Sequence, residues 1–407
     1  MTIPIPEPLF DTLAQGIQTN PPHLPPLPFT QTDYEGAADF LVSYNGSQAT
    51  FNAYRREVER LLHWSWLVAK KSIIDLRRAD IEAYITFCEA PPAEWVGTQK
   101  VARFIEQAGA RVPNSTWRPF TATVSKALRR QGHTPDPHKH MLSQNALKEI
   151  FAILSSFYNF LIQAERTEVN PIAHIRQKSK FLRKVQGKPK IRRLSELQWQ
   201  YVIDVARDMA AEDPNSHERT LFIMSAFYLM YLRISELTAS DRWTPKMGDF
   251  YRDHDGLWWF TTVGKGNKER HVAVSDAMLA ALKRYRHSMN LPALPAPTEY
   301  APLIPKQRGR GPVSNTSHIR KIVQHCFDRA IQKFETDGLN EEAHSLLEAT
   351  VHWLRHTGIS EDVKIRPREH VRDDAGHSSS AITDRYIDVE LRERHASAKK
   401  KNLTPLA

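Results

Sequence analysis

At 407 residues the chain is longer than one hydrophobic core comfortably organises, so two domains are expected. Apolar and charged contents of 41% and 25% are those of a globular protein, but a net charge of +10 and a pI near 9.4 favour a polyanionic partner, nucleic acid ahead of membrane. Two cysteines, Cys88 and Cys326, exclude a disulfide framework and a tetrathiolate zinc site, and they suit a reducing cytoplasm. Residues 1–32 are dense in proline (Pro4, Pro6, Pro8, Pro21, Pro22), which forbids a regular element of any length. A disordered tail is expected there, with an arm docking on a neighbouring protomer as the lesser alternative. The N-terminus has no secretory pattern. The longest apolar run, around Leu221 to Leu232, is too short to span a bilayer and reads as a buried helix.

Residues 33–172 carry a helical pattern. Phe51, Tyr54, Val58, Leu61 and Leu62 recur at three- and four-residue steps, as do Leu147, Ile150, Phe151, Leu154, Phe157 and Leu161. Between these runs Pro91-Pro92, Pro113 and Pro135 to Pro137 must break helices. Lys126, Arg129 and Arg130 fall on polar positions, where they either solvate a helix face or track phosphates. Residues 173–194 read as a basic linker. Arg176, Lys178, Lys180, Arg183, Lys184, Lys188, Lys190, Arg192 and Arg193 face no acidic residue, so the strip repels itself and would release counterions on a phosphate backbone.

Residues 195–390 form the second domain. Ser195 and Gln198 make a capping box, and the run through Leu221, Phe227 and Tyr231 predicts a central buried helix. Arg233 and Glu236 follow it directly, a costly pair to bury unless each finds a partner. Leu257 to Val263 and Arg270 to Val274 read as two strands joined by the turn Gly264-Lys265-Gly266-Asn267. A loop from Pro292 to Pro312 and helical patterns from Ser317 to Phe334 come next. On a helix, His352, Arg355 and His356 share one face, where a phosphate is the natural anion for a fixed guanidinium fork. Tyr386 is a candidate nucleophile; the plain alternative is a basic surface helix and a core tyrosine. Residues 391–407 are a basic tail.

Taken in order, Arg233, Lys265, His352-x-x-Arg355, His377 and Tyr386 resemble the signature of the tyrosine recombinase (phage integrase) family. Leu232-Arg233-Ile234-Ser235-Glu236-Leu237 is similar to its first box, Val263 to Arg270 to its lysine hairpin, and His352-Trp353-Leu354-Arg355-His356-Thr357 to its second box. Gly376-His377-Ser378-Ser379 and Tyr386 are similar to the closing motif. The likeness covers nearly all of residues 195–390, with a weaker echo in the N-terminal half that includes Asn170-Pro171. Departures are an acidic stretch from Glu335 to Glu348, the Arg366 to Arg372 segment and the proline-rich tail.

The resemblance implies a mainly α fold with a small β-sheet or hairpin, arranged as a two-domain clamp of a helical core-binding domain and a catalytic domain. It implies cleavage and rejoining of DNA through a 3′-phosphotyrosine, with Tyr386 as nucleophile and Arg233 and Arg355 on the phosphate oxygens. Lys265 would be general acid, His352 would shuttle the tyrosine proton, His377 would bond the phosphate, and Glu236 would orient its basic neighbours. No metal, ATP or other cofactor is expected. The expected partner is double-stranded DNA at specific recombination sites, bound as a homo-tetramer on two sites by a protein that is monomer or dimer when free. An integrase or resolvase of a mobile element is expected ahead of Xer-like chromosome-dimer resolution, a type IB topoisomerase, or a regulator that keeps the fold without cleavage. A metal-dependent nuclease using His352, His356, His370 and His377 finds no carboxylate pair at ligand spacing.

Overall fold

A computed structural model describes residues 3–16, 24–44, 48–173, 175, 181, 192–264, 266–386 and 398–399. The chain divides between Gln186 and Gly187 into two compact units, within the stretch expected to be the linker.

The first unit is built on α1 (Thr30–Ser43), α2 (Gln48–Trp64), α3 (Arg78–Glu89) and α5 (Gln144–Gln163), with a short α4 (Lys126–Arg130). In α2 the expected Phe51, Val58, Leu61 and Leu62 are buried and Tyr54 is half-buried, and in α5 Leu147, Ile150, Phe151, Leu154, Phe157 and Leu161 are all buried. Ser143 caps α5 by accepting the Ala146 N–H. The irregular piece holds two small sheets not anticipated from sequence. Parallel β1 (Val96–Gly97) and β4 (Phe120–Thr121) form one, and antiparallel β2 (Phe104–Gln107) and β3 (Ala110–Pro113) the other. The hairpin strands are largely exposed, so they lack the alternation that announces a half-buried strand.

The N-terminal expectation needs correcting. Residues 3–11 pack into this unit, with 12–16 exposed beyond them, and α1 opens at Thr30, inside the stretch assigned to the tail. Phe10 is buried and stacks on Tyr34 at a centroid distance of 4.9 Å. Prolines deny the segment a backbone ladder, so side chains take over its polar groups. The Leu9 and Phe10 N–H groups donate to buried Glu59 Oε2 at 3.0 and 3.2 Å, the Trp95 indole donates to the Pro4 carbonyl at 3.1 Å, and Arg111 grips Asp11 at 2.6 and 2.9 Å. Phe10→Ala is therefore expected to cost roughly 3–5 kcal/mol. The readout is the urea midpoint followed by the first unit's tryptophan fluorescence, and an unmoved midpoint would return the segment to the status of a loose tail.

In the second unit α6 (Glu196–Glu212) starts on the expected capping box, with Ser195 and Gln198 bonded reciprocally at 3.0 and 3.1 Å. It packs on α7 (Pro214–Leu229), which buries every residue from Leu221 to Phe227 and so is surrounded on all sides. Around them lie α8 (Asp276–Ser288), α9 (Thr316–Thr336), α10 (Asn340–Leu346) and α11 (Val351–Asp362). The acidic stretch that departs from the family contains α10, whose Ala343 and Leu346 join the core. The expected hairpin is β6 (Trp258–Val263) with β7 (Glu269–Ala273), and β5 (Phe250–Arg252) adds a third antiparallel strand. Short α12 (Arg368–Ala375), packed on β7, and α13 (Ser380–Thr383) close the unit. The protein is thus mainly α with small sheets, and among the described residues no helix is long and apolar enough to cross a membrane.

Candidate active site

The site begins where α7 ends. The helix stops at Leu229, short of the expected Tyr231, whose φ of 51° puts a bulky residue in the left-handed region usually left to glycine. That turn brings Arg233 to the start of a single 3-10 turn, Ile234–Glu236. Glu236 is 0% exposed. It accepts the Arg233 N–H at 2.7 Å and the Arg233 guanidinium at 3.1 Å. It also receives both arms of Arg270 from β7, at 2.6 and 2.8 Å. Arg233 reaches on to the Gly376 carbonyl at 3.2 Å and Arg270 to that of Asp374 at 3.0 Å, which ties the first box to the end of α12.

Burial alone would raise the Glu236 pKa, but Arg270 and Arg233 outweigh it and hold the carboxyl below its ordinary 4.5. A depressed folded value means that this stabilisation is complete above 4.5 and fades as pH falls through the folded pKa. Glu236→Gln should cost about 3–5 kcal/mol at neutral pH, since two guanidinia lose their shared anion. The deficit relative to the unmutated protein should shrink below pH 4.5, and a deficit that does not vary with pH in chemical denaturation would contradict this reading.

α11 presents the second box. It approaches α7 closely because residue 358 is glycine: a Cβ there would lie 2.0 Å from the Tyr228 carbonyl oxygen. Arg355, only 2% exposed, donates to the carbonyls of Tyr231 and Ala375, the latter at 2.5 Å. Burial and neighbouring Arg233 press its pKa down to about 9, which still leaves it charged at neutral pH. His352 meets His356 edge-on at 4.3 Å between ring centroids.

Tyr386 lies in the final 3-10 turn, its ring packed among Tyr231, Ile359, Val371 and Ala375. Its hydroxyl shares a 2.5 Å hydrogen bond with His356 Nδ1, and its ring stacks on His377 at 5.7 Å with planes 17° apart. His377 Nδ1 in turn meets Thr383 Oγ1 at 2.9 Å. Burial and the nearby cations depress all three imidazoles, His377 to about 4 and His356 to about 3, so they are neutral at physiological pH.

One cleft of about 1150 Å³ is lined by Arg233, His352, Arg355, His377 and Tyr386 together with Arg192. Five of the six expected site residues and one linker cation therefore meet there. The sixth, Lys265, lies outside the described residues, as do Lys178, Lys180, Arg183, Lys184, Lys188 and Lys190; Gly264 and Gly266 on either side of position 265 line the cleft. Arg193 is half-buried beside Leu194, and Lys126, Arg129 and Arg130 are exposed on α4 of the first unit. Two groups at the site had been given no role from sequence. Arg270 shares the inward parity of buried Val272 on β7, a signal readable from strand alternation. His356, rather than His352, is hydrogen-bonded to the Tyr386 hydroxyl. Among the described residues, no group of three His, Cys, Asp or Glu side chains converges as metal ligands would.

No family model matches the sequence. The protein named tyrosine recombinase XerC of Haemophilus ducreyi is 26% identical over 285 residues, 68% of this chain and 77% of that one. Its namesake from Actinobacillus pleuropneumoniae is 26% identical over 314 residues, 74% and 86% of the two chains. In sequence, then, the chain is similar to tyrosine recombinases over about two thirds or more of its length. Solved structures agree on the tyrosine recombinase fold. XerH site-specific recombinase, in a post-cleavage complex with palindromic difH substrate, superposes with a TM-score of 0.54 at 14% identity over 96% of this chain and 86% of its own. The Tn1549 transposon integrase in complex with transposon right end DNA gives 0.51 at 15% identity over 90% and 98%.

Proposed function

We propose that the protein is a site-specific DNA recombinase that cleaves and rejoins strands through a 3′-phosphotyrosine on Tyr386. The observation that carries this reading is a buried phenol hydroxyl, hydrogen-bonded to an imidazole, in a cleft that Arg233 and Arg355 also line. The two guanidinia grip the non-bridging oxygens of one backbone phosphate and stabilise the charge that grows on them. His377 adds a hydrogen bond, and Glu236 acts through Arg233 and Arg270 as a positioning residue. Tyr386 attacks phosphorus, the 5′-oxygen departs with a proton from Lys265, and the bond energy kept in the phosphotyrosine makes rejoining independent of ATP.

The substrate is double-stranded DNA at specific sites, tracked by the basic 173–194 linker and by Lys126, Arg129 and Arg130, and engaged by a homo-tetramer holding two sites. The likeness to a transposon integrase supports an integrase or resolvase of a mobile element. A Xer-like role is the second reading, favoured by the two XerC relatives. In EDTA, the full-length protein incubated with fragmented DNA from its host should form covalent adducts at a recurring sequence. Mass spectrometry should find the nucleotide remnant on Tyr386; its absence, or attachment elsewhere, would refute the proposal.

A further inference from the structure

The family resemblance implied that His352 handles the tyrosine proton, yet the group bonded to the phenol is its neighbour one turn along. We propose that His356 is the proton acceptor for Tyr386, and that the target phosphate itself switches it on. The proposal rests on the phosphotyrosine reading above and adds a residue and a means of regulation to it.

The geometry carries the first half. His356 Nδ1 lies 2.5 Å from the Tyr386 oxygen, within the reach a general base needs, while His377 stacks on the same ring and turns its Nδ1 to Thr383. α11 sets His352 against the edge of His356 and buries Arg355 next to it in sequence. Beyond them, Arg233 and Arg192 line the same cleft, and Arg270 backs it through Glu236. Among the described residues, the charged neighbours that act on His356 are His352, Arg355 and His377, while Lys268 and Glu269 line the same cleft.

That surrounding explains the switch. Burial, His352, Arg355 and His377 keep His356 unprotonated, so it is free to accept, but they also make it a weak base. A phosphodiester bound between Arg233 and Arg355 brings a negative charge among those cations and raises the proton affinity of the imidazole. Basicity therefore rises when a target phosphate is present, which keeps the nucleophile protonated in the empty cleft. In the step itself the phenol O–H breaks and its proton passes to Nδ1. The oxygen–phosphorus bond forms as the bond to the 5′-oxygen breaks, and that oxygen takes its proton from Lys265. On rejoining, the 5′-hydroxyl returns its proton to Lys265 as its oxygen attacks phosphorus, the bond from phosphorus to the Tyr386 oxygen breaks, and His356 gives its proton back to the departing phenolate.

The test is single-turnover adduct formation by the full-length protein on a nicked duplex bearing the mapped site, from about pH 6 to about pH 9. His356→Asn keeps a hydrogen-bonding group near Nδ1 but cannot take a proton; His356→Ala keeps neither. The unmutated protein should show a flat profile. Both variants should be slower by about 100-fold or more near neutrality and should recover as pH rises and the phenol ionises unaided. Replacing the bridging 5′-oxygen by sulfur relieves the need for a general acid, so it should rescue Lys265→Ala but neither His356 variant. An Asn variant at nearly full rate, or a loss that no increase in pH repairs, would overturn the assignment by showing an orienting or merely structural role. Failure of the unmutated protein to form an adduct on Tyr386 would instead refute the function proposed above.

Discussion

Tyr386→Phe is expected to abolish covalent protein–DNA adducts and leave the second unit folded. The substitution removes one oxygen. The ring keeps its packing against Tyr231, Ile359, Val371 and Ala375, and the lost hydrogen bond to His356 costs about 1 kcal/mol. The chemical loss is of another order, because deleting a covalent nucleophile typically lowers turnover by a factor on the order of 10⁶. Denaturing gels of reactions on the mapped site read the adduct directly, and thermal unfolding reads the fold. An adduct that survives in the Phe variant would remove Tyr386 from the role.

Arg355→Lys should be the next most damaging change, although it conserves charge. The guanidinium already spends one N–H on the Tyr231 carbonyl and another on that of Ala375, and its planar fork still offers donors to a phosphate. A lysine ammonium cannot span both carbonyls and grip an anion as well. Loss of a preorganised donor to developing negative charge is worth roughly 10²–10³ in rate. A carbonyl left unsatisfied adds about 1–3 kcal/mol of instability. The single-turnover rate of adduct formation checks the first effect and the denaturation midpoint the second. A lysine variant within a few-fold of the parent rate would mean that Arg355 is a structural cation only.

Much of this was legible in the residues. Helical periodicity located α2 and α5, the Ser195–Gln198 pair located the start of α6, and the turn at Gly264 to Asn267 located the β6–β7 hairpin. Other features were not, for identifiable reasons. Proline density in residues 3–16 reports only that no ladder forms, and says nothing of whether Phe10 finds a cavity beside Tyr34. The β2–β3 hairpin buries too little to leave an alternating pattern. His352 and His356 share one helical face, so spacing alone could not decide which imidazole reaches a tyrosine that arrives from 30 residues further along.

Arg355 takes its bearings from peptide oxygens rather than from neighbouring side chains. Its aim is consequently set by the path of the chain at positions 231 and 375, and Ala375 has no room to grow because it is fully buried in the cluster that holds the Tyr386 ring. A single-residue insertion between Met230 and Arg233, or a proline that reroutes the turn at Gly376, would misdirect the guanidinium without touching it. Laboratory evolution of this protein should therefore find brittle positions in both turns, at residues that touch neither the phosphate nor the guanidinium.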